Sequence, residues 1–323
     1  MKTSVRTLLR PVKRAFRVLP FTSGIYHNSP PYTTGSVLEN RMGLQIVRVL
    51  GRNILHKLRQ KPVASQNRAY HDALEKDGIV VIENFLSPEQ WHDVKAEYEA
   101  LKPKMQFKPY KPIDNYSMTV FSHFVNDHKE NFPKTLKHLG ENKLIRELAS
   151  TVIRRDIRND IPTISFLILK KDNKADVDDD IENVLHADVH YPTVKCFLYL
   201  EDVTMENGPY VYAKGNHKIT WPRIKFEYIT SILRTRLTRG DKSFRPEQVD
   251  MKAGQLRNII SDKQRKEMGV KESYITGKAN TLILSNNLGF HRRGEFKPNT
   301  IRELILVNFR LFETSNFRKF VNG

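Results

Sequence analysis

The sequence predicts an α+β protein: helices lead in, and strands then close on themselves as a double-stranded β-helix, or jelly roll. Three observations point there. Helix and strand signals alternate over residues 67–102, and β-type runs then carry much of the chain to its end. Between Asn183 and Lys218 the pattern runs strand, turn, strand, turn, with Glu206-Asn207-Gly208-Pro209 and Gly215-Asn216-His217-Lys218 as the turns. A length of 323 residues, 39% hydrophobic and 10% aromatic, is enough for one large domain with a core and extensions.

Residues 1–66 read as a basic N-terminal extension, and 67–323 as the main domain. Residues 1–61 hold twelve Lys and Arg against one acid, Glu39, a net charge of +11, whereas the remaining residues add only +7. Charge so placed suits an anionic surface, membrane lipid or nucleic acid. Against nucleic acid, no helix-turn-helix, zinc finger or aromatic-rich RNA motif is visible. Residues 1–20 contain no apolar run long enough to span a bilayer and no apolar stretch of a secretory signal. Being Arg-rich and acid-free, they also resemble a mitochondrial transit peptide. The expected location is therefore cytoplasmic, peripheral to a membrane, or mitochondrial if the organism is a eukaryote. Residues 21–40 are a loop by composition. Residues 42–61 place Leu44, Val47, Leu50, Ile54, Leu55 and Leu58 at helical spacing among Arg48, Arg52, Lys57 and Arg59. Such a helix either packs its apolar face on the main domain or lies in a membrane interface.

The main domain opens with a helix over 67–77 stopped by Gly78, then a strand over 79–85. Ser87-Pro88-Glu89-Gln90 supplies an N-cap, a proline at the first helical position and a capping-box glutamine. Trp91, Val94, Tyr98 and Leu101 follow as the buried stripe. A helix is expected over 143–157 and an apolar strand over 164–171. The acidic tract 172–183 lacks the glycine and terminal glutamate of a calcium loop and reads as solvated. His123 and His128 have no carboxylate at ligand spacing. The single cysteine, Cys196, excludes a disulfide framework and sits in the apolar strand VKCFLYL as a buried, inert thiol. Residues 219–278 are mostly polar and basic, with helical stretches, and read as an insertion that covers a mouth or forms a solvated surface. Strands are expected again over 279–287 and 301–312.

The chemistry centres on His186-Ala187-Asp188. In a strand, residues two apart face the same way, so an imidazole and a carboxylate converge. A second, distant histidine would complete the two-histidine, one-carboxylate set that binds Fe(II) and leaves coordination positions open. The candidate is His291, so the metal set is His186, Asp188 and His291. Asp188 with His190 is a competing pair. His217 reads as structural, and of Arg292 and Arg293 one is a candidate to face the substrate.

HADVHYP, then YLEDVTMENGPYVYAKGNHK, then HRRGEFKPNTIRELILVNF resemble the phytanoyl-CoA dioxygenase family of Fe(II)- and 2-oxoglutarate-dependent oxygenases, whose cores are cupin-like jelly rolls. Asn216 stands where that family more usually has Ser or Thr. The resemblance covers roughly Tyr70 to the C-terminus. It implies Fe(II) as cofactor, with 2-oxoglutarate and dioxygen as co-substrates. It implies that Arg302, placed after His291 as in the family, binds the far carboxylate of 2-oxoglutarate. The expected reaction is hydroxylation of a small or lipid-like molecule with release of succinate and CO2. Asp188 favours that outcome, because related halogenating enzymes carry a small residue there. The alternatives are a non-oxidative β-barrel metalloprotein and a membrane-surface binding protein acting through its basic arm. An anion clamp beside the metal is needed only by the oxygenase.

Overall fold

The computed structural model describes residues 36–59, 65–104, 118–121, 133–154, 157, 162–170, 181–238 and 258–309. Residues 1–35, His123, His128, most of the acidic tract and residues 239–257 lie outside them.

In chain order the elements are α1 (Val37–Arg41), α2 (Leu44–Leu58), α3 (Arg68–Asp77), β1 (Ile79–Ile82), α4 (Pro88–Leu101), β2 (Met118–Phe121), α5 (Lys134–Glu141), α6 (Lys143–Ile153) and β3 (Thr163–Lys170). Then follow β4 (His186–Ala187), β5 (Val194–Tyr199), β6 (Tyr210–Ala213), α7 (Trp221–Thr238), β7 (Asn258–Ile259), α8 (Asp262–Glu267), β8 (Glu272–Ile275), β9 (Leu282–Asn286), β10 (His291–Arg293) and β11 (Ile301–Phe309). The local signals act as expected. Gly78 ends α3 in the left-handed conformation at φ 77°. The Ser87 hydroxyl accepts from the Gln90 amide while Pro88 starts α4. The helix expected to reach residue 157 stops at Ile153, where Arg154 turns left-handed at φ 53°.

Two antiparallel sheets face each other. The larger has the order β1-β9-β5-β11-β3-β2, the smaller β7-β4-β10-β6-β8. This is the jelly-roll core the sequence predicts. Alternation along the strands divides the interior in two. In β5, Val194, Cys196 and Leu198 join Tyr98, Leu148 and Ile305 in the core between the large sheet and the helices. Phe197 and Tyr199 point the other way and meet Tyr210, Tyr212, Ile283 and Leu304 between the sheets. By the same parity Lys195 belongs to the inter-sheet face. Cys196 is fully buried, and desolvation holds its thiol far above the ordinary range, as expected of an inert cysteine.

Two expectations about the flanking regions change. The insertion is not an added surface: β7 and β8 are strands of the small sheet, and β7 pairs directly with β4. Nor is α7 solvated, because Arg223, Glu227, Thr230, Ser231, Arg234 and Thr235 are all buried. Their partners are polar as well. Asn40 of α1 donates to Thr235 at 2.9 Å, and Gln45 of α2 donates to Glu227 at 3.2 Å. The Arg223–Glu227 pair, at 3.0 Å, lies in the same interface, with the guanidinium over the Phe290 ring. Polarity misled here because a buried helix can satisfy polar groups against another polar helix face. The consequence for α2 is a rotated buried face. It buries Leu44, Gln45, Arg48 and Val49, while Val47, Leu50, Ile54 and Leu58 face outward.

Candidate active site

The site is built where β4 and β10 run side by side. His186 and His291 are Cα partners across that ladder, so pairing alone brings together two residues far apart in sequence. Their rings lie 4.8 Å apart, tilted by 54°. The sequence analysis placed Asp188 in the same strand as His186, but β4 ends at Ala187 and Asp188 stands just beyond it. The carboxylate converges nonetheless. One oxygen is 3.6 Å from His186 Nε2, and the other is 3.7 Å from His291 Nε2. One donor atom from each residue lies within 4.8 Å of the others.

The imidazoles are oriented from behind. His186 Nδ1 is 2.7 Å from the Val184 carbonyl, and His291 Nδ1 is 3.0 Å from the Gly289 carbonyl. A ring nitrogen facing a carbonyl carries the proton, which leaves Nε2 with its lone pair directed inward. His291 Nε2 is buried and has no hydrogen-bond partner among the described residues. Burial first, and then the Lys195 ammonium, hold the His291 pKa well below the usual imidazole value, so the ring is neutral. Two imidazole nitrogens and one carboxylate, converging around a buried acceptor that has no hydrogen-bond partner among the described residues, fit a divalent transition metal. His190, the competing ligand candidate, is not in this cluster. Its ring instead stands edge-on to Tyr191. His217 is not in this cluster either and packs on Gly78, where an added Cβ would strike its ring. Arg292 leaves the site altogether and pairs with Glu272 at 2.7 Å.

Two residues that support Asp188 were not anticipated. Asn287 donates to its Oδ2 at 2.9 Å, and Lys195 Nζ lies 2.5 Å from the same oxygen. A signal for Lys195 was present, since an ammonium in the middle of VKCFLYL must find an anion or leave the core. Asn287 lies in a turn, and nothing in its spacing marks it.

Arg302 lies on β11 in the same parity as Leu304, whose side chain packs between the sheets. It is buried and donates to the Gly208 carbonyl, while its Nε has no hydrogen-bond partner among the described residues. Burial, reinforced by repulsion from Arg293, brings its pKa down to about 10, still far above neutrality, so the guanidinium stays charged. Arg293, two residues beyond His291, is also buried. The two guanidinium groups lie 5.8 and 5.5 Å from the centre of the Phe296 ring. Phe296 in turn packs on Gly208, at φ 68°, where any Cβ would strike the ring. The Asn207-Gly208 turn, legible in the sequence, thus shapes the seat of Arg302.

A cavity of about 310 Å³ is lined in part by residues that neighbour the site in sequence. It lies between α2, the residues after Asp188 and the turn before His291, with His56, His190, His217 and Leu288 in its wall.

Among solved structures, the chain overlaps the epimerase SnoN in complex with Fe3+, alpha ketoglutarate and nogalamycin RO at 13% identity and TM-score 0.49, covering 78% of this chain and 89% of that one. EctD from S. alaskensis with bound Fe gives 14% and 0.44, over 77% of this chain and 76% of that one. HygX from Streptomyces hygroscopicus, with nickel and 2-oxoglutarate bound, gives 14% and 0.41, over 77% and 86%. Overlap this distant transfers no particular reaction. No curated protein matches the chain. The sequence profile of phytanoyl-CoA dioxygenase (PhyH) matches residues 74–257, more than half of the chain, including His186 and Asp188. By that match, which agrees with its jelly-roll core, the chain belongs to the phytanoyl-CoA dioxygenase family.

Proposed function

We propose that the protein is an Fe(II)- and 2-oxoglutarate-dependent dioxygenase that hydroxylates a small or lipid-like substrate. The observation that carries this reading is the convergence of His186, Asp188 and His291 within 4.8 Å, in a barrel that also buries Arg302. His186 and His291 would each hold the metal through Nε2, and Asp188 through a carboxylate oxygen. When bound, Fe(II) with 2-oxoglutarate and dioxygen supplies the oxidation of a C–H bond, with succinate and CO2 as co-products. The chain's own residues set the conditions. Val184 and Gly289 fix the imidazole tautomers through their carbonyls. Asn287 and Lys195 hold the carboxylate. Arg302 offers a charged planar donor to the far carboxylate of 2-oxoglutarate. Phe197, Tyr199, Tyr210 and Leu304 line the barrel and keep water out of it. A non-oxidative barrel would leave the buried, charged Arg302 unexplained. Anaerobic addition of Fe(II) and then 2-oxoglutarate is expected to produce a visible charge-transfer band that needs both. Folded protein that binds metal but gives no band would overturn this assignment.

A second activity, docking on an anionic membrane surface, is favoured by the outward apolar stripe of helix α2. Leu50 is 37% exposed, Ile54 57% and Leu58 76%, and on α1 and the turn after it Leu38 and Met42 are 66% and 78% exposed. An apolar stripe facing solvent, in a segment of net charge +11, has the make-up of an interfacial helix. Among the described residues no helix is long and apolar enough to cross a membrane. The full chain is expected to float with phosphatidylcholine–phosphatidylserine vesicles and not with phosphatidylcholine alone. Ile54→Glu with Leu58→Glu should weaken this about tenfold or more, because each removes an apolar side chain from the lipid contact. Equal flotation of that variant would assign the binding to the basic arm alone.

A further inference from the structure

The cavity lined by sequence neighbours of the triad carries a second kind of information, because part of its wall comes from before the family-matched residues. Val49, Asn53, His56 and Lys57 all belong to α2, whereas the match begins at residue 74. The opposite wall is made by residues that bracket the proposed metal ligands. His190 and Pro192 follow Asp188, and Asn286 and Leu288 flank Asn287, whose amide holds Asp188. The N-terminal extension therefore closes a space that the neighbours of the triad line from the other side.

The charge in this space is one-sided. Lys57 and Lys218 stand exposed at its rim, and neither forms an ion pair among the described residues. Arg154 and Glu75 also line it, but they cancel: Arg154 Nη2 reaches both Glu75 oxygens at 3.0 and 3.2 Å. Arg154 also donates to the His56 carbonyl at 3.2 Å, which ties α2 to the main domain at the cavity floor. His56 and His217 add hydrogen-bonding capacity and no charge. Burial lowers the His217 pKa to about 4, and burial likewise lowers that of His56, whose Nε2 faces the Val152 carbonyl at 2.6 Å. Two ammonium groups without an ion pair among the described residues, the neutral imidazoles of His56 and His217 and a lining carboxylate already held by Arg154 form a site that lacks only an anion. Its volume suits a phosphate or carboxylate group with a short stem.

We infer that this cavity binds the anionic end group, phosphate or carboxylate, of the molecule that is oxidised at the triad. The identity of that ligand with the substrate rests on the dioxygenase reading; the binding itself does not. α2 supplies four of the lining residues, Lys57 among them, while Lys218 lies within the family-matched residues, so the preference for an anion draws on both parts of the chain.

The test uses the full chain loaded with Ni(II) and saturating 2-oxoglutarate, so that the co-substrate's own anion site is filled. Inorganic phosphate, glycerol 3-phosphate, acetate and a short-chain phosphatidate are titrated by calorimetry. Saturable binding is expected. A gain from glycerol 3-phosphate to the phosphatidate would mark a lipid source, and equal affinity a soluble one. Lys57→Glu with Lys218→Glu should weaken binding on the order of tenfold, and Lys57→Arg with Lys218→Arg should retain it. Both lysines are exposed at the rim, so neither change disturbs the core. Three results would overturn the inference: no saturable binding to any probe, equal binding by the charge-reversed variant, or displacement of 2-oxoglutarate by the probes. Failure of the dioxygenase reading is scored separately. Protein that binds phosphate in this cavity but shows no 2-oxoglutarate binding loses the identification with a substrate and keeps the anion site.

Discussion

Asp188→Ala should leave a folded chain whose affinity for Fe(II), or for Co(II) as a stable substitute, falls by at least about a hundredfold. Asp188 is the only carboxylate of the triad. Its removal leaves two imidazoles and, beside them, the Lys195 ammonium without the carboxylate it now meets at 2.5 Å. A dication would then have to bind next to an uncompensated cation in a largely buried site, where electrostatic terms are strong. Asn287 would lose its acceptor at the same time. The fold should survive, since the side chain takes part in neither hydrophobic cluster of the barrel. Metal titration by calorimetry, with circular dichroism to confirm folding, decides the matter. Unchanged affinity in a folded variant would remove Asp188 from the ligand set.

Arg302→Met should act on the other half of the site. The affinity for 2-oxoglutarate is expected to fall about a hundredfold, while metal affinity stays close to that of the parent. The size follows from losing a pair of charge-assisted hydrogen bonds in a buried location. The methionine roughly fills the space of the arginine stem, but it leaves the Gly208 carbonyl without its present donor. That loss alone costs about 1–3 kcal/mol of stability, so thermal unfolding should be followed alongside binding. Arg302→Lys should recover part of the affinity, since it restores the charge and not the planar fork. If 2-oxoglutarate binds the Ni(II)-loaded methionine variant as well as the parent, Arg293 or another cation is the anchor.

Much of this site could be read before any coordinates. The jelly roll, Cys196 as an inert thiol, the stop at Gly78 and the cap at Ser87 all rest on local rules: alternation, glycine conformation and capping. His186 and Asp188 are also a local pattern. His291 is not, and its partnership with His186 depends on strand pairing that no local rule specifies. The errors have a common origin. Binary patterning assigns apolar faces inward and polar ones outward, and α2 and α7 break that assumption together. Each buries a polar face against the other, so the outward stripe of α2 and the burial of Glu227 could not be inferred from either helix alone. Lys195 differs: its charge inside an apolar strand signals a buried anion, but which anion is legible only once Asp188 is seen beside it.

The direct pairing of His186 with His291 has a further consequence, for the variability of what lies between them. Roughly a hundred residues separate the two, and the entropic cost of closing such a loop grows only with the logarithm of its length; doubling it adds about 0.6 kcal/mol. Residues 239–257, between α7 and β7, can therefore lengthen at little thermodynamic cost, provided α7 keeps its buried partners and β4, β6, β7 and β10 keep their register. A slip of one residue is another matter, because it would turn His291 to the opposite face of the sheet. Selection can thus lengthen that stretch while the ladder stays fixed. Lineages of this fold should diverge by insertion between the two histidines long before they diverge in the strands that carry them.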